Sequence, residues 1–147
     1  MTTTPKKAKT NNFTMSVGRR KTAVARIRLF TKPSVPGMEG VQLSVNGKAA
    51  EAYFGGNADK AAFRLPFILT NTLDKFSASV KVSGGGVGAQ LDAIVHGLAR
   101  ALSLLDRDAY RATLKSAGIL TRDPRKRQRR MIGTGGKSRR AKQSPKR

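Results

Sequence analysis

The chain has 147 residues, of which 30 are Lys or Arg and 8 are Asp or Glu, so its formal net charge is +22 at pH 7. It contains no cysteine and a single histidine, His96, which excludes a disulfide framework, a thiolate nucleophile and a zinc site built on cysteines or several imidazoles. So large a charge predicts a polyanionic partner. No apolar run approaches the roughly 18–20 residues of a membrane span, so no membrane partner is expected.

The positive charge is concentrated at the two ends of the chain. Residues 1–32 carry a net charge of +9 and residues 118–147 carry +11, whereas residues 33–117 carry only +2. All aromatic residues precede the last of these segments, which therefore offers little apolar surface to offset its ordering entropy. We predict a disordered basic arm over residues 1–12, a globular body over residues 13–117, and an extended basic tail over residues 118–147 that folds on its partner.

Alternating side chains and turn residues predict the strands of the body. Phe13–Val17 is a possible strand, and Ala23–Phe30 alternates between apolar and basic side chains, as a half-buried strand does. Val41–Val45 is a further strand, and Asn46-Gly47 directly after it is a strong turn signal. Phe76–Val82 alternates again.

Helices fill the remaining body. We predict helices over Ala58–Thr70, where Pro66 should kink or interrupt the helix, over Val87–Leu105, and over about Arg107–Ala117, with Gly118 as the C-cap. The second helix has one apolar stripe and one polar face; the stripe is Val87, Leu91, Ile94, Val95, Leu98, Leu102 and Leu105, and the polar face is Asp92, His96, Arg100 and Ser103. The order of elements predicts an α+β fold with one small sheet.

A glycine-rich loop joins the last strand to the long helix. Gly84–Ala89 satisfies a loose dinucleotide-binding pattern, with Asp106 and Asp108 about 20 residues on. More helix follows, so the second strand of that pattern is missing, and a simple strand-to-helix turn is the favoured interpretation. The backbone N–H groups of Gly85 and Gly86 could still hold a phosphate, including one of RNA.

Two groups of basic residues predict contact with a nucleic-acid backbone. Arg19, Arg20 and Lys21 form the first, and Arg26 and Arg28 extend it along one face of a strand; a merely solvated charge run is the alternative. The second group is the tail, whose cations suit phosphates, although a solubilising or nuclear-targeting tail has the same composition. Nothing predicts catalysis, because His96 pairs with no recognisable nucleophile and the carboxylates are scattered.

Several motifs together resemble the family of small-subunit ribosomal protein nine, of the bacterial and organellar type. They are Gly18-Arg-Arg-Lys-Thr-Ala-Val-Ala-Arg-Ile-Arg-Leu29, Val45-Asn-Gly47 with Tyr53-Phe-Gly55, Gly84-Gly-Gly-Val87, His96-Gly-Leu-Ala-Arg-Ala-Leu102, Ala117-Gly-Ile-Leu-Thr-Arg-Asp-Pro-Arg125 and the terminal Lys146-Arg147. The chain departs from the family in having Gln128 where an acidic residue is usual, and in lacking an aromatic residue shortly before its end.

The resemblance implies a non-enzymatic, cofactor-free structural protein in the head of the small subunit, on cytoplasmic or organellar ribosomes. It implies a left-handed βαβ crossover, binding to small-subunit rRNA beside other head proteins, and a tail tip, Lys146 and Arg147, that contacts the peptidyl-site tRNA. The residues predicted to bind rRNA are Arg19, Arg20, Lys21, Arg26, Arg28, Gly85, Gly86, Arg122, Arg125, Lys126, Arg127, Arg129, Arg130, Lys137, Arg139, Arg140 and Lys142.

Two other functions stay open at this point. Composition alone fits a free-standing DNA- or RNA-binding protein with basic tails, and the glycine-rich loop leaves a nucleotide-binding enzyme as a rival of a different class.

Overall fold

The computed structural model describes residues 13–37, 42–130 and 132. In this part of the chain, five strands form one mixed sheet in the order β1-β2-β5-β3-β4. The strands are β1 (Phe13–Arg20), β2 (Ala23–Phe30), β3 (Leu43–Val45), β4 (Lys48–Ala49) and β5 (Ser77–Ser83), and the helices are α1 (Ala50–Phe54), α2 (Asn57–Leu69), α3 (Val87–Leu105) and α4 (Arg107–Ser116). The predicted α+β class is confirmed. The predicted arm over residues 1–12 and the tail from residue 133 lie outside the described residues.

Strands β1 and β2 form an antiparallel hairpin that reaches further than the sequence predicts. β2 has the predicted bounds, but β1 continues past Val17 to Arg20 because it pairs with β2 along its whole length. β5 pairs antiparallel with the other edge of β2, so β2 is central among these three strands.

The parallel pair β3 and β5 is joined through β4, α1 and α2, which makes a βαβ crossover; its left-handedness stays a prediction. The predicted turn at Asn46-Gly47 is confirmed, with φ of 51° and 82° at the two residues. The Asn46 side chain also joins β3 to β5, since its Nδ2 donates to the Val82 carbonyl (3.1 Å) and its Oδ1 accepts from the Val82 N–H (3.0 Å).

Of the two effects predicted for Pro66, a kink or an interruption, the interruption is wrong, because helix α2 runs on to Leu69. Proline cannot supply an amide hydrogen bond to the preceding turn, but its ring is fully buried in the body, which offsets that loss. The helix then ends within one turn, where the Thr70 hydroxyl donates to the Pro66 carbonyl (2.9 Å).

Helix α3 packs directly on the β1–β2 hairpin, and two glycines allow the approach. A Cβ atom on Gly18 would lie 1.8 Å from the Ala93 carbonyl oxygen, and one on Gly97 would lie 2.4 Å from the Ile27 Cδ1. The Ser16 hydroxyl donates to the Gly97 carbonyl (2.7 Å) in this buried contact. The hairpin is therefore fixed rigidly to the longest helix of the body.

The predicted faces of α3 need two corrections. Val87 and Leu105 belong to the predicted apolar stripe but are exposed, because they lie at the two ends of the helix. Ser103 belongs to the predicted polar face but is buried, because α3 also packs against α2 and α4 and so presents little surface to solvent in its second half. No helix in the described ranges is long and apolar enough to cross a membrane.

Candidate nucleic-acid interface

The turn between β1 and β2 lies against the glycine-rich loop that precedes α3. A Cβ atom on Gly84 would lie 2.5 Å from the Thr22 carbonyl oxygen, and one on Gly85 would lie 3.1 Å from the Ala23 Cβ. Both glycines have positive φ, 75° and 66°, so the loop requires residues without a side chain. The basic run and the glycine loop, which the sequence indicates separately, thus form one continuous surface.

The N-terminus of α3 in this surface has the chemistry of an anion site. Gly86 is the N-cap residue, no side chain caps the helix, and its first turn has no acidic residue. The first amide groups of a helix lack intrahelical acceptors and carry partial positive charge. Lys21 is exposed at the adjacent turn and supplies a full charge, so a phosphate here would meet both kinds of donor.

The basic stripe predicted along β2 lies on the sheet face away from α3. Ala25 and Ile27 are buried against the helix side, while Arg26 and Arg28, which alternate with them, are exposed on the other side. Lys81 of β5 pairs directly with Arg26 and is also exposed, so the stripe extends across two strands.

Arg20 is placed differently from its neighbours, because its side chain turns inward and is only 16% exposed. Its Nε lies 3.3 Å from an Asp92 carboxylate oxygen on α3, and its Nη1 lies 3.1 Å from an Asp123 carboxylate oxygen. The same Nη1 donates to the Arg125 carbonyl (3.1 Å). One guanidinium therefore joins the hairpin, α3 and the start of the tail; we call these contacts the tail clamp.

Asp123 is the acidic residue at the centre of the tail clamp. The Arg125 guanidinium donates to both of its carboxylate oxygens (2.7–3.1 Å), and the Arg125 N–H donates to one of them (2.9 Å). These hydrogen bonds, with a smaller contribution from Arg20, hold the pKa of the Asp123 carboxyl well below its usual range, and the same pair raises the pKa of Arg125. The Arg125 side chain is nevertheless 84% exposed, so its outer edge remains accessible.

His96 lies behind the tail clamp and is half-buried. Its Nδ1 accepts the Arg19 N–H (3.4 Å). Burial, followed by the charge of Arg100, lowers the pKa of the imidazole, and the Leu120 backbone opposes this shift. The hydrogen bond from Arg19 joins β1 to α3. Within residues 13–37 and 42–130, no cluster of three metal-ligating side chains occurs around His96 or elsewhere.

The predicted tail begins packed against the body. Ile119 and Leu120 contact the core, and residues 122–130 carry no helix or strand. Six of the predicted rRNA-binding residues are exposed along that stretch: Arg122, Arg125, Lys126, Arg127, Arg129 and Arg130. The other rRNA-binding residues predicted in the tail, Lys137, Arg139, Arg140 and Lys142, lie outside the described residues, as do Lys146 and Arg147, which are predicted to bind tRNA.

Comparison with known sequences decides the family. The sequence profile of the family described as ribosomal protein S9/S16 matches residues 18–147. The chain belongs to this family.

Individual relatives agree with the family assignment. The small ribosomal subunit protein uS9 of Dehalococcoides mccartyi is 42% identical over 123 residues, which is 84% of this chain and 87% of that protein. Proteins of the same name are 43% identical over 121 residues in Desulfovibrio desulfuricans (82% and 87% of the two chains) and 42% identical over 125 residues in Maridesulfovibrio salexigens (85% and 90%).

The resemblance inferred from the motifs is confirmed. Because its family consists of structural ribosomal proteins, the chain is a structural component of the small ribosomal subunit and is not an enzyme. The free-standing nucleic-acid-binding protein and the nucleotide-binding enzyme are therefore excluded. In the structure, α4 follows α3 directly, without the second strand that a dinucleotide site needs.

Sequence reasoning misses three features of this family member's surface. It does not single out Lys81, although the predicted alternation of β5 places this residue on the same face as Arg26. It treats Phe13 and Phe30, which pair across β1 and β2, only as apolar residues of the body. The third feature is the inward turn of Arg20, which pairs with Ala23 on the helix-facing side. This pairing exists only because β1 extends as far as Arg20.

Proposed function

We propose that the chain binds small-subunit rRNA in the head of the subunit, beside other head proteins, through three basic surfaces. These are the hairpin turn with the glycine loop, the stripe of Arg26 and Arg28, and the tail. The observation that carries the proposal is the tail clamp, because it fixes the origin of a strongly basic segment to the hairpin that holds the other two surfaces.

Phosphate contacts supply the binding energy in this proposal. Arginine donates two parallel hydrogen bonds to a phosphate and lysine neutralises it as a point charge. Each neutralised phosphate releases a counterion, so the affinity must fall with salt. The exposed cations of the described tail have no regular secondary structure to direct them, and rRNA would order them on binding.

The tip of the tail, Lys146 and Arg147, contacts the peptidyl-site tRNA in the same proposal. The support is the family's motif at these residues and the reach of the chain. From Arg130 to the end are 17 residues, which span roughly 55–60 Å when extended. Most of the tail's charge precedes the tip and is used on rRNA, which leaves two cations for the tRNA backbone.

Salt titration of rRNA binding tests the first part. If roughly ten cations contact phosphate, log affinity against log salt has a slope of about −7 to −9. A full-length variant with glutamine at Lys137, Arg139, Arg140 and Lys142 should flatten that slope by up to about 3–4. A nearly salt-independent affinity of the unmodified protein would contradict phosphate-driven binding.

Release of tRNA from purified subunits tests the second part. Replacing Lys146 and Arg147 with glutamine should leave subunit assembly intact and accelerate tRNA dissociation roughly five- to thirty-fold, the equivalent of about 1–2 kcal/mol in charged hydrogen bonds. The matched control replaces Arg140 and Lys142, which should not change tRNA release. Normal assembly with unchanged release would refute the tRNA contact, and failed assembly would make the tip an rRNA anchor.

A further inference from the structure

We infer that the sheet face opposite α3 binds unpaired rRNA nucleotides by stacking their bases on its aromatic and guanidinium planes. The inference rests on the proposed rRNA binding and adds the class of RNA that this surface takes. We call this surface the open face and define it by the side chains of Phe13, Met15, Arg26, Arg28, Phe30 and Lys81.

The strand register places these side chains in three neighbouring rows. Phe13 lies opposite Phe30, Met15 lies opposite Arg28, and the third row holds Val17, Arg26 and Lys81. Rows on one face of a sheet repeat every second residue, at about 6.5–7 Å. The open face is therefore a graded surface, with aromatic rings at one end and paired cations at the other.

Two half-buried aromatic rings and a guanidinium plane pack together at the aromatic end of the open face. The Phe13 and Phe30 ring centroids lie 5.7 Å apart at an interplanar angle of 60°. The Arg28 guanidinium carbon lies 5.4 Å from the Phe13 centroid, and Met15 beside them is 56% exposed. Nucleic-acid bases stack on aromatic rings and arginine planes in this kind of setting, whatever their sequence.

The cationic end of the open face lacks any counter-charge among the strand residues around it. Arg26 and Lys81 are directly opposite each other on antiparallel strands, an arrangement of like charges that destabilises a sheet. The residues of β1, β2 and β5 that share this face include no acidic side chain. A bound phosphate would relieve the repulsion, so the pair favours a polyanion over a neutral or basic partner.

Aromatic and cationic groups together favour unpaired RNA among polyanions. A duplex keeps its bases stacked inside and offers mainly its backbone, which cations alone would suffice to bind. An unpaired strand offers a base and a phosphate at every nucleotide, matching the two ends of the open face. An acidic segment of another ribosomal protein is the competing occupant, and the second experiment below separates it.

The first experiment compares a mixed-sequence single-stranded RNA oligomer with an abasic oligomer of equal length, both titrated with the full chain. The abasic oligomer keeps the phosphates and lacks the bases, so the phosphate contacts of the tail contribute equally to both titrations. We expect the base-containing oligomer to bind roughly five- to thirty-fold more tightly. In the Phe13→Leu/Phe30→Leu variant, which keeps apolar bulk without ring planes, most of this preference should be lost, while affinity for the abasic oligomer stays unchanged.

The outcomes separate this inference from the proposed function. Equal, salt-dependent binding of both oligomers by the unmodified protein would overturn base stacking and leave rRNA binding intact. Failure to bind either oligomer would overturn both. The control Arg111→Gln, an exposed arginine on α4, should retain the preference for the base-containing oligomer.

The second experiment uses the absence of cysteine in the chain. Met15→Cys creates a unique attachment point for a short photo-cross-linker on the open face, and Ala112→Cys, at an exposed position of α4, is the matched control. In assembled subunits we expect the probe at position 15 to cross-link to unpaired rRNA nucleotides and the probe at position 112 to give a different pattern. A cross-link from position 15 to a protein, to duplex rRNA only, or to nothing would overturn the inference.

Discussion

The open face and the tail clamp use the same residue type in opposite ways. Arg26 on the open face stands opposite Lys81, with no acidic residue beside it, whereas Arg20 in the tail clamp lies between Asp92 and Asp123. Their side chains leave the same hairpin on opposite sides, because Arg20 pairs with the helix-facing Ala23. In this protein, the proximity of carboxylates separates arginines that build the structure from arginines left for a ligand.

The difference shows that charge alone is a poor guide to an RNA-binding residue. Arg26 follows Arg20 closely in the chain, and the sequence predicts the same function for both. The alternation of side chains along the strands places Arg26 on the solvent-facing side and Arg20 on the side that faces Asp92. The predicted rRNA contact of Arg20 stays a prediction, and any such contact would compete with the hydrogen bonds of the tail clamp.

The largest effect should come from disrupting the contact between β1 and α3, which supports both the open face and the tail clamp. Gly18→Ala would place a Cβ 1.8 Å from the Ala93 carbonyl oxygen, so β1 and α3 must separate. We expect a loss of about 3 kcal/mol or more in the free energy of unfolding, measured by urea denaturation. Gly88→Ala, whose Cβ would meet no atom within 4 Å, is the control and should cost nothing. A Gly18 variant as stable as the control would mean that the hairpin is not fixed to α3.

Removing the Arg20 guanidinium from the tail clamp should release the tail without unfolding the body. In Arg20→Gln, the Asp92 and Asp123 carboxylates lose their shared partner, so initial trypsin cleavage after Arg122 and Arg125 should accelerate roughly three- to tenfold. Arg19→Gln, at an exposed neighbouring position, should leave these rates unchanged. Equal cleavage rates in the two variants would show that Arg20 does not hold the tail.

Substitution on the open face should give the reverse pattern. Arg26→Gln removes the repulsion with Lys81, so the free protein should become more stable by roughly 0.2–1 kcal/mol at low salt. Its rRNA affinity should fall, and the slope of log affinity against log salt should flatten by about 0.7–0.9. Tail cleavage by trypsin should stay as in the unmodified protein. A loss of stability without a change in slope would assign Arg26 a structural function like that of Arg20.

The smallest effect should come from pH, through His96. Burial and Arg100 lower the pKa of the folded imidazole below its ordinary value of 6.5, so the unfolded chain takes up a proton first as the pH falls. Stability should therefore be constant above about pH 6.5 and decline below it. Urea midpoints measured from about pH 8 to about pH 5 should show this decline in the unmodified protein and a weaker one in His96→Gln. Identical profiles would exclude His96 as the cause.

The sequence predicts the fold best where a long periodic pattern has one explanation. β2 and α3 have the predicted bounds because their apolar residues repeat regularly over many positions. The end of β1 is not predictable in this way, because Gly18, Arg19 and Arg20 have the composition of a turn and only pairing with β2 makes them a strand. Tertiary packing also explains the burial of Ser103, which no periodicity along α3 indicates.

The candidate site is predictable only in part. Alternation along β2 places Arg26 and Arg28 on one face without any structure, and the structure agrees. The tail clamp depends on a contact between Arg20 and Arg125, which are 105 positions apart, and a single sequence contains no signal for such a pair. The glycine loop is recognisable from sequence. Its packing against Thr22 is not, because the β1–β2 turn and the β5–α3 loop are far apart in the chain and meet only in the fold.

The tail clamp also joins residues that are synthesised far apart in time. Arg20 is among the first residues of the body to be made, yet its partners Asp123 and Arg125 follow more than a hundred positions later. At translation rates of about 5–20 residues per second, Asp123 and Arg125 are made roughly 5–20 s after the hairpin. A nascent chain that stops before Asp123 has the basic hairpin but no directed tail. The tail clamp can therefore close only after Arg125 has been made.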